Sequence, residues 1–157
     1  MKRLIISIMM LAAGTLAYAQ HLESKQIYLG AGSTAADTLN YLRTFETNKS
    51  KYIGKPFSVL LSDMGKVQPK LVIPGNGAEL NDLSISPFAR FIFVGRSDLY
   101  SYEAPTMRIV WKDPLPADTV YGYMKKNNFI FTTEEKNYYS NKIVMNISVF
   151  RIIDLKW

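Results

Sequence analysis

The chain has no cysteine and only one histidine among its 157 residues. Without cysteine it can form neither a disulfide nor a thiolate metal site, and we expect no lipoprotein anchor, since that anchor is built on a cysteine. The one histidine, His21, stands at the start of the predicted mature chain, so we expect neither a packed catalytic triad nor a histidine metal site. The sequence therefore predicts no metal and no cofactor, and a fold that depends on its apolar core.

Long apolar runs are also scarce, and the single clear one is at the N-terminus. The first residues combine a basic start, an apolar run over 4–16 and a final motif of small residues, Ala17-Tyr18-Ala19. The run is shorter than the roughly 20 residues that span a bilayer, and the small-residue motif is typical of a cleavage site. We predict that residues 1–19 are a cleaved signal peptide and that 20–157 form one exported globular domain, periplasmic or extracellular, with no transmembrane segment.

The charge of the predicted mature chain is modest. Removal of Lys2 and Arg3 with the signal peptide leaves 17 basic and 13 acidic side chains, a net charge of +4. The lysines are scattered along the sequence, as in an ordinary solvated surface, and a patch for anionic envelope polymers is the alternative. We expect the partner to be a protein or an envelope polymer and not a nucleic acid.

Two helices are predicted before residue 66. Thr34 followed by Asp37 resembles a capping box and starts the first helix. The second is predicted over Pro56 to Met64, because proline suits a first helical position, apolar residues recur on one face, and Gly65 can take a left-handed cap. Polar residues follow each helix.

From Val67 onward the apolar period changes to two, which indicates strands. Strands are predicted over 67–73, 88–94, 107–112, 129–133 and 143–153, with a short helix from Pro116 to about Lys126 and a polar hairpin loop from Glu134 to Asn141. The 88–94 segment is apolar apart from Arg90, which predicts a central strand covered on both faces. The sequence thus predicts an α+β fold, with two N-terminal helices packed on one face of a largely antiparallel sheet of about five strands.

Four carboxylates are the candidates for catalysis. Glu79 and Asp82 precede the predicted central strand, Asp98 and Glu103 follow it, and both loops could open at one end of the sheet. A pair of carboxylates is what a glycosidase needs. A carboxylate-dependent glycan hydrolase is therefore the alternative function, against ordinary surface solvation of these side chains.

Tyrosines in predicted loops are the candidates for binding. Tyr100 and Tyr102 share one loop, and Tyr138 and Tyr139 stand at the predicted hairpin tip with only polar neighbours in sequence. Tyrosine offers a rigid amphipathic surface for recognition, although tyrosines also cover the edges of a core. We expect recognition, where present, at these loops.

Residues 54–66 resemble part of a known family. The spacing from Gly54 to Gly65, with Leu60 and Met64 at apolar positions, is similar to a helix of the SmpA/OmlA envelope proteins, and Val67 stands where that family usually has proline. The resemblance implies a non-catalytic binding or accessory module of the bacterial cell envelope, with the fold of the β-lactamase-inhibitor proteins. We take this as the first functional hypothesis.

Overall fold

The computed structural model of the protein describes residues 34–98, 101 and 103–151. The predicted signal peptide lies outside the described residues. Residues from Thr34 onward group into one compact unit. No helix in the described part of the chain is both long and apolar enough to cross a membrane.

Two helices open the described region, as predicted. Helix α1 spans Ala35–Thr47 and begins with a capping box, in which Thr34 and Asp37 each accept a hydrogen bond from the other's backbone N–H. These hydrogen bonds hold the pKa of Asp37 below its usual range. Helix α2 spans Phe57–Asp63, and Gly65 follows it with the predicted left-handed backbone at φ +58°.

A four-stranded antiparallel sheet follows in place of the predicted five strands. Its strands are β1 (Leu71–Pro74), β2 (Ile85–Ile92), β3 (Thr106–Pro116) and β4 (Val144–Phe150), and neighbours in sequence are neighbours in the sheet. The predicted strand over 129–133 is reduced to one bridge between Ile130 and Leu71, since Phe129 has a positive φ of 70° that breaks an extended strand.

Two more helices lie between β3 and β4, so the helices are not all N-terminal. Helix α3 spans Ala117–Lys126, as predicted, whereas α4 spans Thr133–Ser140, where a hairpin loop was predicted. A second capping box starts α4, because the side chains of Thr132 and Glu135 each accept a hydrogen bond from the other's backbone N–H.

The helices bury one face of the sheet. Side chains from all four helices join the inner sheet residues in a single apolar cluster, which includes Leu42, Leu60, Val120, Tyr139 and Trp111. Phe88, Arg90, Arg108 and Val110 are absent from this cluster and are half-buried on the opposite face. Strand β2 is thus interior to the sheet, and its second face is buried at Ile92, in a smaller apolar cluster with Leu71 and Ala104, and half-buried at Phe88 and Arg90.

Candidate functional site

Tyr139 is a core residue in the structure. Its side chain is 1% exposed and its ring stacks on Trp111 at 5.5 Å between centroids, with Phe91 edge-on at 5.6 Å. Burial raises the pKa of Tyr139, as expected for a phenol surrounded by aromatic rings. The hydroxyphenyl group therefore contributes to packing, and Tyr139 does not stand at a loop tip.

Tyr138 lies beside it on α4 but is half-buried. Its ring contacts Tyr123 of α3 at 5.2 Å, and the Nζ atom of Lys142 lies 4.5 Å from the ring centroid. Burial, with a smaller contribution from Tyr123, raises the pKa of Tyr138. Tyr138 thus remains partly accessible, and the other candidate pair, Tyr100 and Tyr102, lies outside the described residues.

The four candidate carboxylates fall into two separate places. The loop that holds Glu79 and Asp82 leads into β2, whereas the loop that holds Asp98 and Glu103 leaves it. In an antiparallel meander these loops lie at opposite ends of the strand, not at one end as expected from the sequence. Eight strand residues at about 3.3 Å each separate them by roughly 25 Å, far beyond the 5–10 Å between glycosidase carboxylates.

All four carboxylates are exposed, and three have local partners. Asp82 accepts hydrogen bonds from the backbone and hydroxyl of Ser84, which hold its pKa below the usual range. Glu103 forms an ion pair with Arg151 at 2.7 Å, and Asp98 accepts a hydrogen bond from the neighbouring serine. Among the described residues, no group of three or more histidine, cysteine or acidic side chains is arranged to hold a metal ion.

A shallow groove of about 270 Å³ lies between α2 and α4. Its lining is Ser58, Leu61, Ser62, Lys136 and Ser140. The hydroxyl of Ser140 donates to the carbonyl of Lys136 at 2.6 Å, so it is already used within the helix. The groove thus offers one lysine and two serine hydroxyls around an apolar floor, a weak arrangement for binding a charged ligand.

The sheet face opposite the described helices carries a more unusual arrangement. Arg90 of β2 and Arg108 of β3 are directly opposite each other in the strand register. The same register line continues to Ile73 on β1 and to Ser148 on β4, so these four residues form one row across the whole sheet, which we call the arginine row. Like charges in this position repel, since opposed Cα atoms are only about 4.5–5.5 Å apart.

Neither arginine has an anionic partner in the described part of the chain. The ion pairs found there join Lys126 to Glu134 and Arg151 to Glu103. The Nε atoms of Arg90 and Arg108 are shielded from solvent and have no hydrogen-bond partner. Buried polar groups are normally hydrogen-bonded, so two unpaired arginines side by side indicate a surface maintained for something other than stability.

The surroundings of the row position its guanidinium groups. The guanidinium carbon of Arg108 lies 3.9 Å from the centroid of the Phe88 ring. That ring lies over Gly75, where any Cβ atom would clash with it, so glycine is required for this packing. The cation–π contact holds the Arg108 guanidinium against the sheet.

Polar donors continue the site toward β4. Asn146 is exposed and lies opposite Val110, two register lines from the arginine row. Its Oδ1 accepts a hydrogen bond from the Nζ atom of Lys49 at 2.9 Å, which places a cation at the β4 edge of the sheet. The face therefore presents positive charge and hydrogen-bond donors beside the apolar side chains of Phe88 and Val110.

Sequence reasoning missed this site although its residues were visible. Arg90 interrupts an otherwise apolar run, and Arg108 occupies the solvent side of an alternating strand. Their direct opposition depends on the strand register, which a bulge between Ser86 and Phe88 shifts.

Comparisons with protein-family models, curated proteins and solved structures found no match for this chain.

Proposed function

We propose that the chain is an exported, non-catalytic binding or accessory module of the bacterial cell envelope, which binds its partner through the arginine row. The observation that carries this proposal is the opposition of half-buried Arg90 and Arg108 on the sheet face opposite the described helices. A half-buried pair of like charges lowers stability, and a partner that supplies negative charge removes this penalty. The partner is a protein or an envelope polymer.

Four further observations support the proposal. The N-terminal sequence has the features of a signal peptide, and the segment from Gly54 to Gly65 resembles the SmpA/OmlA envelope proteins. In the structure, that segment holds a short amphipathic helix between two glycines with positive φ. The carboxylates that a glycan hydrolase would use lie at opposite ends of β2. The modest net charge favours a protein or an envelope polymer over nucleic acid.

The proposal is tested by capture from an envelope extract. The full chain with a C-terminal affinity tag is purified in its exported form, and the retained molecules are identified by mass spectrometry. We expect the double variant Arg90→Met/Arg108→Met to lose the captured partner, because it removes both charges of the arginine row. The matched control is Arg96→Met, since Arg96 is exposed in the short 3₁₀ turn Arg96–Asp98.

The control variant should retain the partner at the wild-type level. Capture that is equal for the wild type and the double variant would overturn the proposed binding surface. Thermal unfolding of each variant, measured in parallel, separates loss of the surface from loss of the fold.

A further inference from the structure

We propose that the arginine row binds a phosphomonoester group of the partner, an inference that rests on the proposed function. The row places two guanidinium groups on neighbouring strands, and no carboxylate in the described part of the chain neutralises either of them. The ligand must supply the missing negative charge. The two guanidinium groups of the row therefore constrain the charge and the shape of the ligand.

Charge matching favours phosphate over carboxylate. A phosphomonoester carries about −1.5 to −2 at pH 7, which balances Arg90 and Arg108 together, whereas a carboxylate carries −1 and leaves one guanidinium uncompensated. Lys49, hydrogen-bonded to Asn146, adds a positive charge at the β4 edge of the sheet. The local excess of positive charge thus calls for a dianion.

The available donors also suit a tetrahedral oxyanion. Because both Nε atoms are shielded, a ligand reaches each guanidinium through its terminal nitrogens. Phe88 fixes the plane of Arg108 through the cation–π contact, and a fixed guanidinium can donate two parallel hydrogen bonds to a phosphate. The hydroxyl of Ser148 lies next in the row and can donate to a further phosphate oxygen.

The rows flanking the site limit access from the sides, and their side chains are apolar except Thr106, whose hydroxyl donates to the Ala104 carbonyl. Phe88 and Val110 are paired on one side of the arginines, and Ile92 and Thr106 are paired and buried on the other. Charged hydrogen bonds strengthen where water is partly excluded. The phosphate is therefore held in a strip of polar donors between apolar neighbours.

The experiment is a titration followed by amide chemical shifts of the full exported chain, at constant ionic strength. Three probes share one sugar framework: glucose 6-phosphate, glucuronate and glucose. We expect glucose 6-phosphate to give the largest shifts at Arg90, Arg108 and Ser148 and to bind at least about tenfold more tightly than glucuronate. Glucose should shift none of these amides.

The pH dependence provides a second readout. The second phosphate pKa is near 6, whereas arginine stays charged throughout. Affinity for glucose 6-phosphate should therefore rise severalfold from pH 5.5 to 7.5, while affinity for glucuronate stays constant. Equal affinities for the two anions, or shifts centred away from the arginine row, would overturn the inference without needing any variant.

Variants separate geometry from charge. Arg108→Lys keeps the charge but loses the planar fork, so we expect at least about fivefold weaker binding of glucose 6-phosphate. Arg90→Met should weaken it at least about tenfold, and Arg96→Met should leave it unchanged. Equal weakening by Arg96→Met would mean that only the overall charge attracts the anion, which contradicts a defined site.

The outcomes also distinguish the inference from the proposed function. Capture of an envelope partner that depends on the arginines, combined with no preference for glucose 6-phosphate, would leave the binding role intact and refute the phosphate. A phosphate preference at the row, combined with partner capture that does not depend on the arginines, would refute the proposed function and retain the phosphate site.

Discussion

Replacement of Arg90 by methionine should make the isolated protein more stable. Arg90 and Arg108 are directly opposite, and opposed like charges destabilise a sheet by about 0.2–1 kcal/mol. Methionine keeps an unbranched apolar stem beside Ile73 but removes the charge and the unpaired Nε atom. We expect a gain of about 0.5–2 kcal/mol in the free energy of unfolding, or roughly 2–6 °C in Tm.

Two controls separate the electrostatic cause from packing. Arg108→Met relieves the same repulsion but also loses the contact with Phe88, which is worth about 0.5–1 kcal/mol, so its gain should be smaller. The exposed Arg96→Met should change stability by less than about 0.5 kcal/mol. The double variant should gain less free energy of unfolding than the two single variants together, because each single variant already removes the same repulsion.

The assay is urea unfolding at 0.1 M and 1 M salt. Because the screening length falls from about 10 Å to about 3 Å over this range, the advantage of Arg90→Met should shrink at high salt. An Arg90→Met variant that is less stable than the wild type, or a gain that does not depend on salt, would refute the reasoning. The first result would mean that Arg90 contributes to the fold, and the second would mean that its cost is not the repulsion between the two charges.

The remaining predictions concern the helices and the N-terminus. Tyr139→Ser should lower the free energy of unfolding by about 3–5 kcal/mol, as expected for an aromatic ring in the core. Tyr138 is only half-buried, so Tyr138→Ser should lower it by less than about 2 kcal/mol. Equal losses in urea unfolding would contradict the different burial of the two rings. Burial raises the pKa of Glu135, so its contribution to stability is complete below about pH 4.3 and is lost as pH rises through the folded-state pKa. Glu135→Gln should therefore gain stability relative to the wild type between pH 4 and pH 7 in thermal unfolding, and a constant difference would refute this. Mass spectrometry of the exported chain should find Gln20 at its N-terminus, and a mass that includes residues 1–19 would refute the signal peptide.

The first two helices could be predicted because their signals are local. Thr34 with Asp37 and the glycine after α2 are backbone requirements that a sequence shows directly. Helix α4 has the same kind of signal, Thr132 followed by Glu135, but its sequence lacks apolar periodicity. Its buried face includes a glutamate, so a reading based on apolar residues predicted a loop and placed Tyr139 at its tip.

The candidate site could not be predicted because it depends on contacts between strands. Alternation identifies Arg108 as a residue on the solvent side of β3, and the apolar run identifies β2. Which residue lies opposite Arg90 depends on the bulge and on the length of the β2–β3 loop. The separation of Glu79 from Asp98, by contrast, follows from the sequence itself, because the predicted strand lies between their loops and those loops must be at its opposite ends.

Site-specific photo-crosslinking in intact cells tests the central claim most directly, since that claim is that the sheet face opposite the described helices is the binding surface. A photoreactive phenylalanine is introduced in place of Asn146, which is exposed beside the arginine row, or in place of Thr119, which is exposed on α3. We predict a covalent adduct from position 146 that disappears with Arg90→Met/Arg108→Met, and none from position 119. An adduct from position 119 alone, or one from position 146 that persists in the double variant, would contradict the account.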